Sequence, residues 1–290
     1  MEAYCIEANQ CFAQGKWKQA SLGVRDGKWI QPYKLNRETM TINMDRFWIS
    51  PGKVHIDLQF PLYQTEFQSA LVRRYMFRGT TLLIVQCPIS SSRNMAKEFQ
   101  MMKHRLDGLG IDYMIAPLVS VNKLTPEMIR FFGNERVPFV LFQAETKEDI
   151  LNKMWGWIAQ AQDPSFIPVT PVVKNEGPLS YSKWLQLAEH HNVRTLPRVL
   201  GECPLTKENL RATGIYPYKG EFMYSGDADY NLFRLHTETQ IDTPDQMFYH
   251  KAIPCVTVLR GQIIRSHTEV NDLEGYGRYF KASIPNHFMS

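Results

Sequence analysis

Residues 80–87 read Thr-Thr-Leu-Leu-Ile-Val-Gln-Cys, an apolar run bounded by Arg78-Gly79 before it and Pro88 after it. A strand with one face in water alternates apolar and polar residues. An unbroken run therefore predicts a strand covered on both faces, as in a parallel sheet with helices packed outside it. The neighbouring segments fit that reading. Residues 54–60, 113–121 and 138–143 are strand-like, and 166–173 reads as a fifth strand whose prolines argue against a central position. Between them, 66–78 (Phe67, Ala70, Leu71, Met76), 94–109, 126–132 and 147–161 carry helical spacing, the last with Ile150, Leu151, Met154 and Trp157 on its apolar face. Strands alternating with helices indicate βαβ units.

The two ends of the chain read differently. Residues 1–50 are short strands and turns, with Asp26-Gly27 between two strand-like runs, the strongest short-range hairpin signal. Residues 41–49 alternate and stop at Ser50-Pro51-Gly52. Beyond a loop at 175–180 and helices at 181–191 and 205–212, strands return at 220–224, 229–235, 253–259 and 262–266. Isolated hairpins are marginal, so the two ends are expected to pair into one β unit that buries Trp29, Trp48, Phe233 and Val258 together.

Composition narrows the class of partner. With 290 residues, 44% hydrophobic and 21% charged, the chain can bury a sizeable core as one large domain or two modest ones. A net charge of +4 with no block of like charges gives no basic groove, so no nucleic acid is expected. No apolar run approaches the length of a membrane span, and the opening MEAYCIEANQ is not a secretory leader. Cys5, Cys11, Cys87, Cys203 and Cys255 are scattered without CxxC spacing, which reads as reduced thiols in a cytoplasmic protein.

Several phrases, in order, resemble the cyclic amidohydrolases, the dihydroorotase, hydantoinase and allantoinase group. They are Gly27-Lys28-Trp29-Ile30, Asp45 through Gly52 ending in Pro-Gly, and Arg78-Gly79-Thr80-Thr81-Leu82-Leu83-Ile84-Val85. Gly214-Ile215-Tyr216-Pro217-Tyr218-Lys219-Gly220, then Ser225-Gly226-Asp227-Ala228-Asp229, are the most specific, and residues 256–264 with the Arg260-Gly261 turn resemble a closing hairpin. The resemblance implies a TIM-like barrel flanked by a β-sandwich built from both chain ends. Only 146 residues separate His55 from Leu200, against about 250 for an eight-unit barrel. The expected fold is therefore a truncated TIM-barrel-like parallel α/β core of about four or five βα units over 53–217, plus a composite β-sandwich domain from 1–52 and 218–290. The alternative is an open doubly wound sheet.

The family hydrolyses cyclic amides with one or two divalent metals that activate a bound water. The resemblance puts the strand-one His-x-His positions at Asp57 and Gln59, and the strand-four lysine at Val140. His190 and His191 are about 100° apart on a helix and cannot chelate from one face, while His236, His250 and His267 fall in the C-terminal β region. A shifted His55–Asp57 pair is the remaining metal option. The expectation is no metal and no cofactor, with Asp57, Gln59 and Cys87 as candidate substrate-binding residues at the strand ends and no assigned catalytic group. Function then reads as a catalytically inactive homologue acting as a binding, regulatory or structural partner, with a cyclic ureide or an active paralogue as the candidate partners. The alternative is a hydrolase of cyclic C–N bonds with a rearranged metal site. Open sheet edges and an apolar concave face must be covered by the helices at 181–191 and 205–212 or by a second subunit, and the shortness of 175–200 points to a homodimer.

Overall fold

The computed structural model describes residues 3–13, 15–36, 38–65, 68–173, 179–234, 253–271 and 273–283. The first strands are β1 (Ala3–Ala13), β2 (Lys16–Arg25), β3 (Lys28–Ile30), β4 (Met40–Asn43) and β5 (Phe47–Pro51). The middle of the chain gives β6 (Lys53–Ile56), α1 (Gln68–Phe77), β7 (Thr80–Pro88), α2 (Met95–Arg105), β8 (Asp112–Ser120), α3 (Pro126–Asn134) and β9 (Val140–Gln143). It continues with α4 (Lys147–Leu151), α5 (Trp155–Gln162), β10 (Val169–Pro171), α6 (Tyr181–His190) and α7 (Lys207–Ala212). The last strands are β11 (Tyr230–Arg234), β12 (Val256–Leu259), β13 (Gln262–Ser266) and β14 (Glu269–Val270).

Five strands, β6 to β10, form a wholly parallel sheet in chain order. Each successive strand adds on the same side with helices between, which is barrel topology. A doubly wound sheet would reverse its strand order at a switch point, and this one does not. The run at 80–87 is the second strand, and its residues Thr80 to Cys87 are buried on both faces as the missing alternation required. The proline-rich fifth strand sits at the edge.

The two faces of this sheet have separate cores. Leu83, Val85, Cys87, Tyr113, Ile115, Val140 and Phe142 pack outward against α1, α2, α3, α5 and α6. Val54, Ile56, Leu82, Ile84, Met114, Ala116, Phe139 and Leu141 point inward, where a full barrel would have its other half. That inner face is filled by the chain itself: Leu196, Leu200, Leu205, Leu210, Ala212, Ile215 and Tyr216 pack on it. The same segment makes a backbone hydrogen bond at each sheet edge. Arg194 O accepts from Val169 N (2.9 Å) beside β10, and Leu205 N donates to Val54 O (2.8 Å) beside β6. Buried Gln162 fixes the first crossing, donating to Ile167 O and Arg194 O (2.7 Å each) and accepting from Arg194 N (2.9 Å). The inner face is thus packed from within the chain, by fewer than 25 residues that include α7, one of the two helices the sequence offered for that role.

The two chain ends share one nine-stranded mixed sheet, joined where β11 pairs antiparallel with β5. Both hairpins form as read. Asp26 and Gly27 have φ of 52° and 72°, and Arg260 and Gly261 have 47° and 78°, the paired positive values of type I′ turns. The expected common cluster of four side chains is split. Trp29 and Val258 lie in a core with Ile6, Val24, Ile49 and Tyr230, whereas Phe233 and Trp48 pack with Trp17. Period-two alternation explains it: Phe233 stands opposite Trp48, one residue out of phase with the Leu232–Ile49 pair.

Four local expectations also need correction. Residues 220–224 form turns rather than a strand, and 41–49 splits into β4 and β5. The helix read over 147–161 breaks into α4 and α5, which turns Leu151, Met154 and Trp157 toward solvent instead of inward. Finally, 276–283 leaves the β sheet and runs along the parallel strands: Arg278 O accepts from Tyr113 N (3.0 Å) and Phe280 N donates to Tyr113 O (2.8 Å).

Candidate functional site

Barrel enzymes place their chemistry at the C-terminal ends of the strands, so that end is the first place to look. On β6 and the residues after it, Val54, Ile56 and Leu58 face the inner core. Side chains alternate along a strand, so His55, Asp57 and Gln59 face the helix side. His55 is buried beside Tyr75 of α1, ring centroids 6.0 Å apart, with Nδ1 2.8 Å from Thr80 Oγ1. Burial, with Lys53 and Arg78 nearby, holds its pKa well below the usual imidazole value, so it is a neutral core histidine near pH 7. Asp57 is fully buried and accepts from Leu62 N (2.7 Å) and Gln86 N (2.9 Å), while Gln86 Nε2 donates to Asp57 O (2.9 Å). Burial pushes its carboxyl up to about 7 against those hydrogen bonds. The geometry ties the 57–62 loop to β7.

The other candidates are elsewhere. Gln59 is exposed, on a shallow cleft with Phe60, Leu71, Arg74, Tyr75 and Arg78 that includes neither Asp57 nor Cys87. Cys87 packs among the outer helices, its Sγ 3.8 Å from Glu98 O, and burial pushes its thiol up to about 12. Val140 also faces the helices. The structure does not bring the three predicted residues to one site.

A divalent-metal centre does not fit the donors present. Among the described residues no three His, Cys, Asp or Glu side chains gather in a way that could hold a metal ion. The shifted His55–Asp57 pair fails for a separate reason: both point away from the inner face, and both Asp57 oxygens already accept backbone amides. His190 and His191 stack with each other at the end of α6, and His267 receives Arg234 Nη2 at 2.7 Å. His236 and His250 lie outside the described residues.

The strongest polar constellation sits at the opposite, N-terminal end of the strands. Lys219 is buried and its Nζ meets Asp112 (2.6 Å), Asp227 (2.7 Å) and Asp229 (2.7 Å). Arg260 pairs with Asp112, its backbone N donates to Asp229 Oδ1 (2.8 Å), and Lys28 pairs with Asp227. Burial alone would lower the Lys219 pKa, but Asp229, Asp112 and Asp227 outweigh it and hold the ammonium charged. Lys219, Asp227 and Asp229 come from the two most specific phrases of the sequence. The sequence offered them as a resemblance only; that they converge on Asp112, more than 100 residues earlier, needs the fold. The cluster joins β8 to the β sheet.

No family profile and no curated protein matches the sequence. Solved structures do. L-hydantoinase (dihydropyrimidinase) from Arthrobacter aurescens superposes with a TM-score of 0.66 at 12% identity, over 95% of this chain and 99% of that one. Dihydropyrimidinase from Brevibacillus agri gives 0.61 at 11% identity, over 98% and 99%. The fold is that of the cyclic amidohydrolases. A zinc-bound adenosine deaminase from Xanthomonas campestris is more distant, at 0.53 and 10% identity over 93% and 94%. At these identities the likeness is one of fold. It covers nearly the whole of both chains. Among the described residues no helix is long and apolar enough to cross a membrane.

Proposed function

We propose that this chain is a non-hydrolytic amidohydrolase homologue that acts as a structural or regulatory protein partner. The observation that carries the reading is the helix-side placement of His55 and Asp57, which leaves Val54, Ile56 and Leu58 on the inner side of β6 and no metal ligand there. The inner face itself is filled by Leu196, Leu200, Leu205, Leu210 and Ile215.

The test is an assay of the purified protein, with zinc or manganese added, on dihydroorotate, hydantoin and allantoin. No turnover and no stoichiometric metal are expected. Hydrolysis that chelation abolishes would defeat the proposal. So would a thermal shift with a hydantoin or dihydropyrimidine, which at 100-fold excess over Kd adds about 2.7 kcal/mol and would put a small molecule in place of the protein partner.

A further inference from the structure

The tips of two hairpins, one from each end of the chain, touch each other. A Cβ added at Gly27 would stand 2.7 Å from Arg260 O, so the contact leaves no room for a side chain there. At Gly261 an added Cβ would lie 3.6 Å from Tyr4 Oη and 3.7 Å from Gly27 Cα. Beside this contact is a cleft of about 250 Å³, with Tyr4, Asp26, Lys28, Arg260, Tyr276 and Arg278 in its lining. Sites for drug-sized ligands run from about 300 to 1,000 Å³, so a molecule that fits here is smaller than those.

The charges of the lining divide into two kinds. Lys28 pairs with Asp227 and Arg260 with Asp112, so these two cations are already balanced within the chain. Asp26 and Arg278 are exposed, and among the described residues neither side chain has an ion-pair or hydrogen-bonding partner. They do not pair with each other either, although they line the same cleft. A cleft with one spare sign is satisfied by a simple counter-ion. One with a spare carboxylate and a spare guanidinium is satisfied by a molecule that carries both signs, and a free α-amino acid is the smallest common one. Arg260 supplies a second sign that something is missing here. It is 5% exposed, Nη1 pairs with Asp112 and Nη2 donates to Tyr276 O, yet its buried Nε has no acceptor. A buried donor left without an acceptor is an exception in native proteins and marks a place where a water or ligand belongs.

We propose that this cleft binds a free α-amino acid, with its ammonium against Asp26 and its carboxylate against Arg278. The site shares no residue with the reading above, so the two can fail separately. Calorimetric titration of the full chain with the common protein amino acids should find at least one that binds once per chain. The methyl ester of that amino acid lacks the carboxylate and its N-acetyl form lacks the ammonium. Each should lose about tenfold or more in affinity, the scale of one hydrogen bond to a charged group. Asp26→Asn keeps a residue that a type I′ turn favours, and it should abolish the penalty of N-acetylation. Arg278→Met should abolish the penalty of esterification. Both side chains are exposed and unpartnered, so the unliganded variants should melt as wild type does, which separates lost binding from a lost fold. No binding by any amino acid at about 10 mM would overturn the proposal. So would full affinity for the ester or the N-acetyl form, equal binding of acetate or inorganic phosphate, or wild-type affinity for the amino acid in both variants.

Discussion

The two ends of the parallel strands bury charge in opposite ways. Around the N-terminal end of β8, Lys219 and Arg260 meet Asp112, Asp227 and Asp229, with Lys28 at the margin, so each ion of this cluster has a counter-ion in contact. At the C-terminal ends Asp57 is equally buried but receives only neutral donors, and burial raises its pKa to about 7. The first arrangement keeps its charges because they neutralise one another; the second keeps its geometry by favouring the protonated carboxyl. In barrel enzymes the C-terminal end carries the reaction. Here it holds a loop-fixing carboxyl, and the richer electrostatics have gone to the seam between the two sheets.

The sharpest break of this comparison is Lys219→Met. Removing the fully buried ammonium leaves three carboxylates in the seam with only Arg260 and the half-exposed Lys28 to balance them. Breaking a buried pair in this way costs about 3–5 kcal/mol, and the variant should melt far below wild type or fail to fold. Denaturant titration would read it. A Lys219→Met protein as stable as wild type would mean that the seam is hydrated and the pairs are weak.

Next in size is the inner face. Leu205 is 3% exposed, packs on the inner core, and donates its backbone amide to Val54 O at the edge of β6. Leu205→Ala should cost about 2–5 kcal/mol, the range for an emptied leucine site in a core. Hydrogen exchange would show whether β6 loosens with it. If the strand stayed protected and stability fell by less than 1 kcal/mol, the segment at 194–216 would be resting on the sheet rather than closing it.

The sequence showed the strands more clearly than it showed the closure, and the reason is physical. Residues 80–87 could be read because burial on both faces removes alternation, and Asp26-Gly27 because left-handed backbone at two adjacent residues selects few dipeptides. Leu196, Leu200 and Leu205 have neither a helical nor a strand period. They fill a volume whose shape is set by strands up to 150 residues away, so no local pattern announces them. The site residues failed in a related way. The Pro51-Gly52 anchor gave the position of Asp57 along the chain, but which face of β6 it serves depends on Val54 and Ile56 packing against 196–216. The sequence read Cys87 as a mouth residue at the C-terminal end of its strand; it lies at that end but faces the outer helices, and the continuous apolar run offers no phase to tell the two faces apart.

The smallest effect is at Asp57 and depends on pH. Its folded pKa of about 7 lies above the 3.8 of an unperturbed carboxyl, so the folded state binds this proton more tightly than the unfolded chain does. The sign follows from linkage: stability contributed by the protonated form is fully present below 3.8 and is lost as pH rises toward 7, after which the curve is flat. His55, whose folded pKa is lowered, works in the opposite direction below 6.5, so the wild-type curve alone mixes the two. Asp57→Asn separates them. Asparagine has one acceptor oxygen for the two amides of Leu62 and Gln86, so below pH 4 the variant should be about 1–2 kcal/mol less stable than wild type. As pH rises to 7 the gap should shrink or reverse, because only the wild type carries the growing cost of a buried charge. Urea titrations of both proteins across that range give the difference directly. A gap that widened with pH would show that Asp57 is ionised and held by a cation that this geometry does not provide, and the contrast between the two strand ends would collapse.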